Sequence, residues 1–266
     1  MRYLYTAFQA VIFQLLILFS VSAQADVEIT NKKTAFVSNE KLIYRVKYGF
    51  IKGGEASIKI LTEPSGDYYL YHIYSLARST GFIGSIYPVK DIYESYADIN
   101  TLYPVKSIRN ITEKKYNSYN EVLFFREQGF LRSLNTGDHP APENVLDVLS
   151  AFYFARNILY LNQVKEGEKI PFLIYFDEKF LSIEIKLAGI ENIDTEFGKV
   201  NCLKFIPYSV DNNLFKSNDQ FKLWVTADSN FIPVKIRVKL SFGSLKCDLI
   251  DFENIKNSAG QLKKQD

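Results

Sequence analysis

Two histidines, two cysteines and one cluster of carboxylates are the residues of this chain best suited to chemistry. His72 sits in a run of aromatic residues, and His139 precedes Pro140. Neither stands at a ligand spacing from Cys, Asp or Glu, so no metal site is expected. A Ser-His-Asp set can assemble from distant positions, but no Gly-x-Ser-x-Gly turn marks a nucleophile. Asp91, Glu94 and Asp98 fall within one short segment. On a strand, Glu94 and Asp98 share a face about 13 Å apart, wider than the roughly 5–9.5 Å of glycosidase carboxylate pairs. They read as solvated strand-face charges. Lys106, Arg109, Lys114 and Lys115 read the same way. The stretch Gly49-Phe50-Ile51-Lys52-Gly53-Gly54 is glycine-rich but lacks Gly-Lys-Ser/Thr, and no helix follows, so it reads as a hairpin turn and not a phosphate loop. No catalytic residue and no cofactor is assigned.

Cys202 and Cys247 allow two readings. In an oxidising compartment they can form a disulfide, which would close a loop of about 45 residues and stabilise the fold by roughly 4 kcal/mol. Otherwise they are buried thiols that behave as small apolar groups. The aromatic supply is more informative: the chain has 18 Tyr and 21 Phe, against one Trp and one Met. Many fall between Tyr68 and Tyr96, and period-two alternation divides them between two sheet faces. The surplus can line an apolar cavity, with Tyr69, Tyr71, Phe82 and Tyr93 as the candidate ligand-binding residues, or it can be ordinary packing.

These residues need a scaffold, and its elements are legible. Leu42, Tyr44, Val46 and Tyr48 alternate with Lys41, Ile43, Arg45 and Lys47, a strand signal. Further alternating segments lie at Ala56–Ile60, Tyr68–Arg78, Val89–Asp98, Pro104–Thr112, Tyr116–Glu127 and Phe130–Leu134. Turns such as Pro64-Ser65-Gly66-Asp67 and Asn135-Thr136-Gly137-Asp138 separate them. A Gly-rich connection holds Gly81 and Gly84. Val145, Leu146, Val148, Leu149, Phe152, Ala155 and Leu159 switch to helical spacing. This predicts one substantial helix over Asn144–Leu161, with Asn144 as N-cap and Asp147 in the first turn. After it, Glu168–Phe176, Lys179–Ile190, Lys199–Pro207, Gln220–Thr226, Ile232–Leu240 and Leu245–Phe252 read as strands. The fold class is mainly β: an antiparallel meander forming a curled sheet or open barrel, with one packed α-helix.

The N-terminus sets the address. A positive start (Met1-Arg2), an apolar run from Ala10 to Phe19 and the small-residue exit Ala23-Gln24-Ala25 form a signal peptide over residues 1–25, with cleavage before Asp26. The run is too short to span a bilayer. One β-rich domain is expected over residues 26–255, then a polar, frayed tail over 256–266. After the signal the chain carries 31 Lys+Arg against 30 Asp+Glu. That balance implies no general attraction to nucleic acid or acidic lipid.

Several short segments occur in an order that resembles a known family: Tyr48–Ala56, Tyr93-Glu94-Ser95-Tyr96, Asp147–Tyr153, Gly198–Lys204, Leu223–Asp228, Ile232-Pro233-Val234 and Phe242-Gly243-Ser244-Leu245. Together they are similar to the exported bacterial proteins grouped as domain of unknown function 3108, over about residues 36 to 252. The resemblance carries no activity and no catalytic residues. It implies an envelope location in a Gram-negative-type bacterium. The last three strands also faintly resemble periplasmic lipoprotein-carrier proteins, which are curled sheets with a helix plugging an apolar concavity. The resulting expectation is a non-enzymatic protein of the periplasm or outer envelope that binds an apolar ligand or a partner protein. A hydrolase of envelope glycans or lipids and an assembly factor without a small ligand stand as alternatives.

Overall fold

A computed structural model of the protein describes residues 34–209, 220–239, 243–258 and 260–264. The expected signal segment and cleavage site lie outside the described residues. The described residues build one fifteen-stranded sheet. Its first half comprises β1 (Lys41–Tyr48), β2 (Ile51–Ser65), β3 (Tyr68–Ser79), β4 (Val89–Asp98), β5 (Pro104–Glu113), β6 (Tyr116–Phe125), β7 (Phe130–Ser133) and β8 (Gly137–Pro140). The second half comprises β9 (Val145–Leu146), β10 (Lys169–Phe176), β11 (Lys179–Thr195), β12 (Gly198–Ser209), β13 (Phe221–Thr226), β14 (Pro233–Lys239) and β15 (Ser244–Glu253). The spatial order is β8-β7-β6-β5-β4-β3-β2-β1-β15-β14-β13-β12-β11-β10-β9. Sequence neighbours pair antiparallel, β1 joins the two halves by pairing with β15, and β9 runs parallel to β10.

The pleat explains the curl. Leu42 and Tyr44 of β1, Ile58 and Ile60 of β2, Tyr71 and Ile73 of β3, and Phe172 and Ile174 of β10 all bury toward one side. A sheet this long with one apolar face twists and curls until that face covers itself. The helix α2 (Val148–Leu161) fills the concavity and packs on β3, β4 and β10. The sheet does not close through backbone pairing. Its far strands are held by the β10–β11 turn, where Asp177 and Glu178 take φ of 48° and 61°, the left-handed geometry of a tight hairpin. Asp177 pairs with Arg109 of β5. Glu178 accepts from Asn120 Nδ2 (2.5 Å), Ser133 Oγ (2.9 Å), Thr136 Oγ1 (2.5 Å) and Tyr175 OH (2.6 Å).

Three local expectations need correction. The helix starts at Val148, not Asn144, because Val145 and Leu146 pair with Leu173 and Ile174 as β9. Asp147 is the N-cap: its carboxylate accepts from Leu149 N (2.8 Å) and Ser150 N (3.1 Å), and Ser150 Oγ accepts from Asp147 N (3.1 Å), a reciprocal capping box. The Gly81–Gly84 connection holds a short helix, α1 (Gly81–Ile86). The described residues after Lys256 are tied down, not frayed: Asn257 N bonds Asn230 Oδ1 (2.8 Å), Gln261 N bonds Asp228 Oδ2 (2.8 Å), and Leu262 is buried.

Candidate functional site

The concave side is not uniformly filled. Toward the end of the sheet that carries the β1–β2 turn, the inward-facing row of β2 shrinks from Ile60 and Ile58 to Ala56 and Gly54. The row of β3 shrinks from Tyr71 and Ile73 to Ser75 and Ala77. By register Ser75 and Ala77 face inward, yet both stay only half-buried because what they face is empty space. The result is a cavity of about 150 Å³ between these strands and the α2 face of Leu149, Phe152, Ala155 and Leu159. Tyr93 of β4, Phe205 of β12 and Ile236 of β14 complete its apolar wall. A void of about this volume with an apolar lining stays dry and accepts a guest of benzene size.

Two devices hold the helix that roofs the cavity. At its start, Asp147 is buried and accepts a 2.5 Å hydrogen bond from Ser95 Oγ of β4; burial raises its carboxyl above the ordinary range. Near its end, Arg156 lines the cavity but spends its donors elsewhere. Nη1 and Nη2 reach Glu40 Oε1 (2.5 Å) and Oε2 (2.9 Å), and Nη2 and Nε reach Asn230 O (2.8 and 3.2 Å). Side-chain exposure is 2% for Arg156 and 0% for Glu40. Tyr44, on the same wall, donates to Pro233 O (3.0 Å). The guanidinium is therefore a structural anchor, and the free cavity surface is apolar.

Of the candidate ligand residues, Tyr93 lines this cavity. Tyr71 is buried but packs edge-on against Phe36, ring centroids 5.4 Å apart, and does not line it. Tyr69 and Phe82 are exposed on the outside. The residues that make the space are small ones, Ala56, Ser75 and Ala77. Their tapering, period-two row was the sequence signal for the site.

The cysteines do not bond. Both thiols are free and buried. Cys202 on β12 and Cys247 on β15 are three strand spacings apart, about 14 Å at ordinary spacing, beyond the roughly 4.4–6.8 Å Cα separation a disulfide tolerates. Burial pushes the Cys202 thiol up to about 12 and raises that of Cys247.

The polar clusters have structural geometry. His72 lies on the outer face between Glu63 (Nδ1–Oε1 2.9 Å) and Glu94 (Nε2–Oε2 2.7 Å), stacked on Tyr96 at 4.4 Å. Asp98 caps the next turn through Asn100 N (3.0 Å) and Thr101 N (2.8 Å). Thr136 Oγ1 lies 2.7 Å from His139 Nε2 but also contacts Glu178 directly, 2.5 Å away. A nucleophile needs the carboxylate behind the imidazole, not on the hydroxyl itself. Asp91 is the exception to the solvated-charge reading. It points into the concave side, fully buried; Oδ1 accepts from Thr112 N (3.2 Å), while Oδ2 has no partner. Burial first, and the neighbouring Glu113 second, push its pKa up to about 7. Burial raises Glu113 as well. Neither carboxylate lines either of the two cavities of the concave side. Arg109 also points inward, over the ring of Phe176 at 5.3 Å, beside a smaller cavity of about 50 Å³.

Among the described residues no group of His, Cys, Asp and Glu is placed to hold a metal ion, and no helix is long and apolar enough to cross a membrane. A solved structure described as a beta-barrel-like protein of domain of unknown function DUF1849, from Brucella abortus, is similar in fold. It has a TM-score of 0.55 and 8% identity, with 83% of this chain and 100% of that one covered. A DUF1089 family protein from Pseudomonas aeruginosa aligns at a TM-score of 0.37 and 11% identity, over 80% of this chain and 94% of that one. No curated protein matches the sequence. The family model described as "Protein of unknown function (DUF3108)" matches residues 43–250, and the chain belongs to that family.

Proposed function

We propose that this is an exported cell-envelope protein that binds an apolar guest, such as the end of an acyl chain, in the cavity between α2 and the concave face of the sheet. The observation that carries the reading is the cavity itself: two adjacent strands place Ala56, Ser75 and Ala77 where the rest of the concave face carries large apolar side chains. A void lined by atoms that lack partners forfeits dispersion energy, and an apolar guest restores those contacts without asking for a polar one. The signal-like N-terminus supports delivery to the envelope, where such guests are abundant. The role is binding and not turnover: Ser57, Ser75 and Cys247 lie on the wall, but no histidine lines it and its one carboxylate, Glu55, is paired with Arg78 (2.9 Å). Titration of the purified chain with a fluorescent fatty acid tests it. Saturable uptake at one equivalent is expected; linear, unsaturable partitioning would remove the ligand reading.

A further inference from the structure

Four of the apolar side chains that the fold leaves exposed gather near the cavity, while others, such as Tyr68, Leu134 and Ile190, are scattered elsewhere. Phe50 is 99% exposed, Ile51 57%, Phe82 77% and Ile86 55%. Phe50 and Ile51 belong to the β1–β2 turn and the start of β2; Phe82 and Ile86 belong to α1. Thr80 N donates to Gly53 O (3.2 Å), which lays α1 against the start of β2. The four residues thus flank Gly53 and Gly54, which line the cavity at the same end of the sheet.

The same end is basic. The strand registers bring the start of β4, the β5–β6 turn and the β10–β11 turn to it. Lys52, Lys90, Lys114, Lys115 and Lys179 are exposed there, and Lys246 Nζ lies 5.4 Å from the Phe50 ring centre. Several carboxylates of this end are engaged or buried: Asp177 with Arg109, Glu55 with Arg78 (2.9 Å), Glu178 in its hydroxyl and amide cage, Asp91 and Glu113 inside. The opposite end is mixed: Asp67, Asp194, Glu196, Asp228 and Glu253 lie in its turns and strand ends beside Lys41, Lys199 and Lys235, with Glu253 paired to Lys41 (2.7 Å) and Glu196 to Arg45 (2.6 Å). A net charge near zero conceals this local cluster of lysines.

We propose that the end bearing Phe50, Ile51, Phe82 and Ile86 seats on an anionic lipid surface. Aromatic and aliphatic side chains enter the interface while lysines around them meet acidic headgroups, the two attractions that hold peripheral proteins to membranes. The proposal rests on the ligand reading, because it gives an acyl guest a path from bilayer to cavity.

The test is co-sedimentation of the mature chain with vesicles, either pure phosphatidylcholine or an equal mixture with phosphatidylglycerol. Binding to the mixture is expected, with weaker binding to phosphatidylcholine and partial release by salt. Phe50→Ser with Phe82→Ser should weaken affinity by about tenfold or more, with thermal unfolding unchanged because both rings are exposed. Lys52→Glu with Lys90→Glu should abolish the preference for the mixture. No sedimentation of the wild-type chain overturns the proposal and leaves the patch to a protein partner. Equal binding to both vesicles, or variants that bind as wild type does, also overturns it. A chain that takes up fluorescent fatty acid from solution but ignores vesicles refutes the docking alone. One that docks without taking up fatty acid refutes the ligand reading alone.

Discussion

Replacing Ser75 by Phe tests whether the space under α2 is real and is the binding site. Ser75 lies on β3 between Ile58 and Tyr93, faces the concave side and lines the cavity. A phenyl ring there meets about 150 Å³ of empty volume, enough for a guest the size of benzene. If the ring enters it, burying its surface contributes about 1.5–3 kcal/mol. Residual strain offsets part of that, so the net change should lie between zero and about +2 kcal/mol. If the space were filled, the same substitution would overpack the core and cost about 1–3 kcal/mol. The sign therefore discriminates. Urea unfolding followed by the single tryptophan, Trp224, whose indole is buried and bonded to Glu191 (2.9 Å), reads the stability. Fluorescent fatty acid titration of the same variant reads the site, and at least a tenfold loss of affinity is expected. A destabilisation of about 1 kcal/mol or more, or unchanged fatty acid binding, would refute the reasoning.

Other expectations follow from the buried polar groups. Glu40→Gln leaves Arg156 charged and poorly paired in the core and should cost about 3–5 kcal/mol in urea unfolding, while Glu40→Leu with Arg156→Met should recover much of that loss. Asp91 holds its proton to about pH 7 in the folded state, well above its unfolded value. The native state thus binds the extra proton, and the contribution of Asp91 to stability should be greatest below the ordinary carboxylate range and be lost as pH rises through about 7. Asp91→Asn should remove that slope and be more favourable relative to wild type at pH 8 than at pH 5, measured by chemical denaturation at both. Both thiols should resist a thiol reagent until the protein unfolds, and reducing agent should leave the melting temperature unchanged.

Most of the scaffold could be read from the chain, because a half-buried strand writes its register as alternation. Val89–Asp98 was bounded to the residue, and its neighbours to within one or two positions. The helix was legible but its start was not. Val145 and Leu146 satisfy the helical stripe, and only a long-range pairing with β10 claims them as strand. The box formed by Asp147 and Ser150 was the local signal that competed with Asn144. The candidate site was legible only in part: of the four aromatics Tyr93 lines the cavity. Aromatic surplus pointed to Tyr69, Tyr71, Phe82 and Tyr93, yet a cavity is made by what is small. The taper from Ile58 to Gly54 and from Ile73 to Ala77 becomes visible once the inward face is known. Asp91 beside Glu113, and the lysines gathered at one end, depend on which strands neighbour one another, and net charge averages the second away.

The central claim is that the cavity holds an apolar molecule in the cell. The direct measurement is native mass spectrometry of the wild-type chain purified gently from its own envelope, with organic extraction of the same sample. The account predicts a polypeptide beginning at Asp26 that carries one apolar, extractable molecule, and a Ser75→Phe variant that carries none. Bare wild-type polypeptide, an extract free of lipid and no saturable fatty acid uptake by the same preparation would contradict it.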